Sequence, residues 1–265
     1  RTVRDPLIQK CTSPAVRTTS LFCYRANLAS ANTGRVDMSS YRIKLVMSDA
    51  ARKYLHEEKL NLVIGKAVGS VDRPTYRTAW HVLMPTELAQ TVELSWTVNY
   101  TGSFTTEKIF DSFSKYTTQG NDIQMIAGHI YDMTASGTMI ENPNKPPRPN
   151  SSSFVFCNGM GYGQVFRPVL KTPTPGASVN SPGAPFWLGD HVQKNGAVIA
   201  TPVEKVIAWF GKYNAGAAIL EEVMTVAVEF DLTEITSGTA EIADDLSAWK
   251  NLSPNAQSVD VVPVE

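Results

Sequence analysis

The chain has 265 residues, of which 43% are hydrophobic and 18% charged, a globular composition long enough to bury a core in one large β domain or two smaller ones. A formal net charge of −1 excludes bulk electrostatic attraction to nucleic acid or to an anionic membrane, so either partner would need a local patch. No apolar run approaches the roughly 18 residues of a spanning helix, and RTVRDPLIQK at the N-terminus has no signal-peptide core; starting on Arg1, the chain is expected to be secreted after processing or cytoplasmic.

Residues 1–40 read as a pattern-poor arm with one short candidate strand, Ser20–Leu28, and four basic residues, Arg1, Arg4, Lys10 and Arg17. Cys11, Cys23 and Cys157 cannot all pair, and their spacing suits no zinc module. They are expected as buried or free thiols, with a Cys11–Cys23 bridge as the alternative. Tyr41 to Met47 then alternates apolar and basic residues as a strand, and Ser48 or Asp49 can cap a short helix over Ala50–Lys59.

Leu60–Val68 and Tyr76–Met84 read as strands. The cleanest alternation is Thr91–Thr101, with Val92, Leu94, Trp96, Val98 and Tyr100 on one face and Glu93, Ser95, Thr97 and Asn99 on the other. Continued through Ser103, Thr105 and Thr106, its polar face makes a ribbon long enough to cross a bilayer in a barrel, or an ordinary strand with one face wet. An apolar stripe of Ile109, Phe110 and Phe113 points to a helix over Glu107–Tyr116. Ile123–Met133 reads as a buried strand with a possible bulge at Gly128. The prolines of Glu141–Asn150 and Arg167–Pro185 predict extended surface loops around FVFCNGMGYGQVF. Val203–Tyr213 is apolar on both faces and suits an inner strand, and Val223–Thr233 alternates almost as cleanly as the first strand.

Many short strands with turn signals between them, plus one or two short helices, define a mainly β fold, a β-sandwich or jelly-roll-like architecture. Its expected extent is residues 41–250, as one sandwich or two β halves divided near 141–150, with 251–265 as a C-terminal tail.

Searches for chemistry return little. His56, His81, His129 and His191 are scattered, and His56-Glu57-Glu58 lacks the second histidine of a helical metal pair. No nucleophile elbow or phosphate loop is present, and Gly159, Gly161 and Gly163 miss the dinucleotide spacing. No catalytic residue, metal site or cofactor is therefore assigned. Ligand binding is assigned to aromatic residues on loops: Trp187 with Phe186, Asp190 and His191, joined by Tyr162 from the glycine turn. In this expectation an indole or phenol stacks on an apolar ligand face while Asp190 accepts hydrogen bonds from hydroxyls.

NLVIGKAV (Asn61–Val68), YRTAW (Tyr76–Trp80), ELSWTVNY (Glu93–Tyr100), EKVIAWF (Glu204–Phe210), VAVEFDLT (Val226–Thr233) and the late Trp249 together resemble a group of small, mostly uncharacterised fungal β-rich proteins. The resemblance covers about Tyr41 to Trp249. The proline loops and the GMGYG turn depart from it. It implies a lectin-like or cytolysin-like protein and carries over no site residue. The expectation is thus a non-enzymatic binding protein or pore-forming effector, a homo-oligomer that engages a glycan or a membrane surface. Two alternatives stand beside it: a viral coat protein with a jelly-roll fold, and an enzyme holding a small apolar substrate in a sandwich cavity.

Overall fold

The computed structural model describes residues 39–109, 111, 113–148, 151–160, 166–219 and 223–262. The expected Ser20–Leu28 strand, the Cys11–Cys23 pairing, the basic arm and Tyr162 lie outside them. In chain order the elements are β1 (Ser40–Val46), α1 (Asp49–Glu58), β2 (Asn61–Ser70), β3 (Arg73–Thr75), β4 (Ala79–Leu83), β5 (Thr91–Thr97), β6 (Thr101–Thr105), β7 (Gln119–Gln124), β8 (Ile130–Met133) and β9 (Met139–Glu141). They continue with β10 (Phe154–Asn158), β11 (Arg167–Thr172), β12 (Ala184–Leu188), β13 (Ala197–Ala200), β14 (Pro202–Gly211), β15 (Val223–Asp231), β16 (Ser237–Ile242), β17 (Trp249–Lys250) and β18 (Ala256–Val262). The fold is mainly β, with a single short α-helix among the described residues, in keeping with a β-sandwich-like architecture.

The described residues form four sheets. Their orders are β17-β16-β1-β5, β13-β10-β8-β9, β12-β11-β6-β7 and β18-β15-β14-β2-β3, with β4 also on β2. Most neighbours are antiparallel, but β1 runs parallel to β16 and β8 parallel to β10. One continuous core takes residues from every sheet, from Tyr41 through Met139 and Phe154 to Trp249, and so spans the proline loop at 141–150. A second, smaller core of Val63, Tyr76, Ile207, Trp209, Tyr213 and their neighbours lies on the opposite face of β2, β14 and β15.

Local chemistry explains where expectation and structure agree. Ser48 caps α1 by accepting from the Ala51 N–H at 3.1 Å, and Lys59 ends it in a left-handed conformation. In β1 the buried residues Tyr41, Ile43 and Leu45 alternate with exposed or half-exposed ones, as the sequence predicts.

Five expectations are corrected. Thr91–Thr101 is not one strand: β5 ends at Thr97 and β6 starts in a different sheet, because Asn99 is tied to the Val179 carbonyl and to Gln124 where the chain crosses between them. The polar ribbon is lost with it, since Ser103 and Thr105 are buried. Glu107–Tyr116 is not a helix among its described residues; Phe113 sits at φ 69°, and the Glu107 carboxylate reaches across the loop to the Thr117 N–H. Ile123–Met133 is split into β7 and β8 by a turn in which Gly128 has φ 84° and packs directly on the Arg148 carbonyl. Arg167–Thr172 is an inner strand, not a loop, its proline tolerated because Pro168 stands at the strand's start. Finally, the expected C-terminal tail contains β18, which pairs with β15.

Candidate functional site

Among the described residues the predicted aromatic loop site is not assembled. Trp187 and Phe186 belong to β12 and are buried at 5% and 0% exposure, with Trp187 stacked 6.1 Å from Phe156. All five tryptophans are buried, so none offers a stacking platform to solvent. The physical reason is that β12 pairs with β11 and turns its apolar residues inward. Asp190 is on the surface, ion-paired with Arg77 at 2.9 Å, and His191 is exposed.

The polar chemistry gathers instead on the six-stranded sheet. Gly65 in β2 leaves a gap among Ile207, Trp209 and the Tyr76 ring, each of which a Cβ there would crowd at 3.2 to 3.4 Å. Tyr76 fills that gap and lies over the sheet, so that its hydroxyl donates to Glu229 Oε2 at 2.7 Å. The other oxygen, Oε1, accepts from Gln257 Nε2 at 3.0 Å and from Lys205 Nζ at 3.3 Å. Lys205 also faces Asp231 at 3.4 Å. The register places these groups together: Ile207 is opposite Glu229, Lys205 opposite Asp231, and Glu229 opposite Gln257.

A pocket of about 230 Å³ opens over this cluster, lined by Lys205, Glu229, Asp231, Asn255 and Gln257 with Pro254 at its rim. Glu229 and Lys205 form its buried floor, while Asp231 and Gln257 reach solvent. Asn255 braces the wall by donating to the backbone carbonyls of Asp231 and Ser237. Burial alone would raise the Asp231 carboxyl; the hydrogen bonds from Thr233 and the Lys205 ammonium outweigh it and hold the group below the usual carboxylate range. Burial, and then the Glu229 charge, push the Tyr76 phenol well above its usual value, so it serves as a neutral donor.

The opposite face of the same strand repeats the motif. Glu204 Oε2 accepts from Lys66 at 2.8 Å and Oε1 from the Tyr100 hydroxyl at 2.9 Å, and the Lys66 ammonium lies 5.8 Å from the Tyr100 ring centre. Lys66 is wholly buried and Glu204 largely so. With its ammonium wholly buried, this second Lys–Glu–Tyr cluster reads as structural.

Alternation along Val223–Thr233 sets Glu229 and Asp231 on the polar face of the strand and gives no sign that Glu229 is buried. The available signal was different. Lys66 stands inside NLVIGKAV and Glu204-Lys205 precedes VIAWF, segments apolar on both faces, and an ionic group in such a segment must be paired.

Among the described residues no group of three or more His, Cys, Asp and Glu could hold a metal ion, and no helix is long and apolar enough to cross a membrane. No protein-family model, curated protein or solved structure matches the chain.

Proposed function

We propose that the protein is a non-enzymatic, lectin-like binding protein that takes one hydroxyl-bearing ring of a glycan in the Lys205–Glu229–Asp231–Gln257 pocket. The observation that carries this is the ion pair whose edge faces the pocket: the Asp231 carboxylate accepts, and the Lys205 ammonium, two of its three protons directed at carboxylates, has one left to donate. Neighbouring sugar hydroxyls donate and accept in the same way. Two carboxylates against one ammonium disfavour an anion, and the polar walls disfavour an aliphatic ligand. The volume is below the roughly 300–1,000 Å³ of drug-sized sites, which suits one ring and not a whole oligosaccharide. Glu229 already accepts from three donors, an arrangement that serves as a fixed acceptor better than as a proton carrier.

The test is a glycan array probed with labelled protein, followed by calorimetric titration of the best binder into wild type, Asp231→Asn and Gln257→Leu. Wild type should bind, and Asp231→Asn should weaken binding by about tenfold, the loss of one charge-assisted hydrogen bond. Binding to no glycan, or binding indifferent to both substitutions, would remove the reading.

One observation favours the coat-protein alternative. Ile199, Val155 and Ile130 lie opposite one another across β13, β10 and β8, and Ile140 of β9 shares that face, which points away from the main core. Ile199 and Ile140 are 52% and 42% exposed, an apolar row of the kind that subunits of a shell bury against their neighbours. Large particles in the electron microscope from protein purified without ligand would favour that reading over the first.

A further inference from the structure

We infer that β18 is a dimerisation edge, through which two copies of this chain pair antiparallel into one continuous sheet. β18 ends the order β18-β15-β14-β2-β3, and residues 257–260 make no backbone hydrogen bond outside their pairing with β15 among the described residues. Exposed strand edges are ordinarily blunted by brevity, proline, lysine, a bulge or a covering loop. The other edges here show such devices: β17, β9 and β13 have two to four residues, β3 contains Pro74 and β12 Pro185, β4 and β7 pair with their neighbours through an irregular register, and the seven-residue β5 is capped where the Gly176 N–H donates to the Ser95 carbonyl. β18 has seven residues, AQSVDVV, with no proline and no lysine, and the irregularity in its pairing with β15, between Met224 and Ala227, places the extra residue in β15 and not in the edge strand.

The sequence of that edge is self-complementary. A two-fold axis at Val259, the middle residue of β18, sets Val259 opposite its own copy and Ser258 opposite Asp260 on both sides of the axis. Ser258 and Asp260 are exposed, so each hydroxyl can donate to the facing carboxylate, and no like charges meet. A shift of the axis by one residue loses this match: centred on Asp260, the pairing sets two carboxylates against each other. The occupant that this edge fits is therefore a second copy of the chain.

Residues opposite one another across paired strands share a face, so the axis stands perpendicular to the sheet. Both Glu229 pockets then open on the same side. If those pockets bind glycan as proposed above, the dimer is bivalent toward a glycan-bearing surface.

The experiment is light scattering of the chain without any glycan, which keeps it independent of the pocket reading. Wild type, Ser258→Asp and Ser258→Lys are compared across a dilution series, with far-ultraviolet circular dichroism to confirm folding. Wild type should approach twice the chain mass of 29.0 kDa. Ser258→Asp places carboxylates opposite Asp260 at two symmetric pairs and should weaken the dimer about tenfold, whereas Ser258→Lys should tighten it by about threefold. Opposite effects of two substitutions at one exposed serine would not follow from a general loss of stability. A single-chain mass for wild type at tens of micromolar (about the range a weak dimer needs), or an assembly that both variants leave unchanged, overturns the proposal.

Discussion

Replacing Lys205 by Met should destabilise the fold by about 3 kcal/mol, and the figure follows from what the substitution leaves behind. Met keeps most of the apolar stem and removes the ammonium, so packing changes little. Glu229, whose side chain is only 6% exposed, then retains the Tyr76 and Gln257 donors but no countercharge, and Asp231 stands nearby with the same sign. Breaking a buried ion pair from one side costs about 3–5 kcal/mol; the two remaining donors and a pocket able to admit water place this case at the low end. Against a typical domain stability of about 5–15 kcal/mol, that is a large displacement of a urea unfolding curve at neutral pH.

Two companion variants make the reasoning testable. Lys205→Met combined with Glu229→Gln removes the orphaned charge while keeping a hydrogen-bonding group, and should recover about 1.5 kcal/mol or more of the loss. Lys66→Met, on the other face of the strand, should cost less than Lys205→Met, because the Glu204 side chain is 22% exposed and can rehydrate. A Lys205→Met cost below about 1 kcal/mol, or a double variant no more stable than the single one, would refute the account of a buried carboxylate held by its cation.

Two further outcomes follow from the same structure. Gly128→Ala should cost about 2 kcal/mol or more, since φ is 84° there and the added methyl meets the Arg148 backbone carbonyl; Gly102→Ala should cost less than about 1 kcal/mol, because its nearest obstacle is the flexible Met125 thioether, and thermal unfolding of the two proteins reads the difference. In alkali, Tyr76 and Tyr100 are held neutral, first by burial and then by Glu229 and Glu204, so their folded pKa values lie well above the usual 10.0. Their contribution is intact below pH 10 and is lost as pH rises above it, because the unfolded chain ionises first. Tyrosinate absorbance from these residues should therefore appear together with loss of the fold, and ionisation near pH 10 with circular dichroism unchanged would contradict their placement.

How far the sequence disclosed this molecule depended on how one-sided each segment's environment is. Tyr41–Met47 and the Thr91–Thr97 part of Thr91–Thr101 bury one face and expose the other, and their period-two pattern places them correctly. Residues 256–260 of β18 are all exposed or half-exposed and the strand adds only the edge of a sheet, so AQSVDVV carries little pattern. β11 was hidden by Pro168, whose position at the strand's start matters more than its presence. The stripe Ile109, Phe110 and Phe113 suggested a helix, yet Ile109 is buried in a small cluster while Phe113 is exposed and stacks on Tyr213. Trp187 reads as a loop residue between Pro185 and Gly189, but two-sided burial of a short strand leaves no alternation to reveal it. The pocket was illegible for a related reason. Its residues come from β14, β15 and the last strand, far apart in sequence, and only the register sets Glu229 opposite Gln257 and, in the neighbouring row of the same face, Lys205 opposite Asp231.

The two Lys–Glu–Tyr clusters also bear on why this sheet has one register. Glu204 and Lys205 are consecutive in β14 and point to opposite faces, each toward a partner of the other sign: Lys66 on one side, Glu229 on the other. Buried ion pairs contribute little net stability compared with apolar packing, so stability alone is a weak reason for two of them on one strand. A one-residue slip of β14, however, would exchange its faces and turn Lys205 toward the buried Lys66 and Glu204 toward Glu229. Like charges would then meet on both sides of the sheet, in places that Leu62, Ile64, Ile207 and Trp209 keep dry. An all-apolar β14 would resist that slip far less, because VIAWF is apolar on both faces and would pack either way round. The same pairings that build the floor of the pocket therefore fix the register that the pocket depends on.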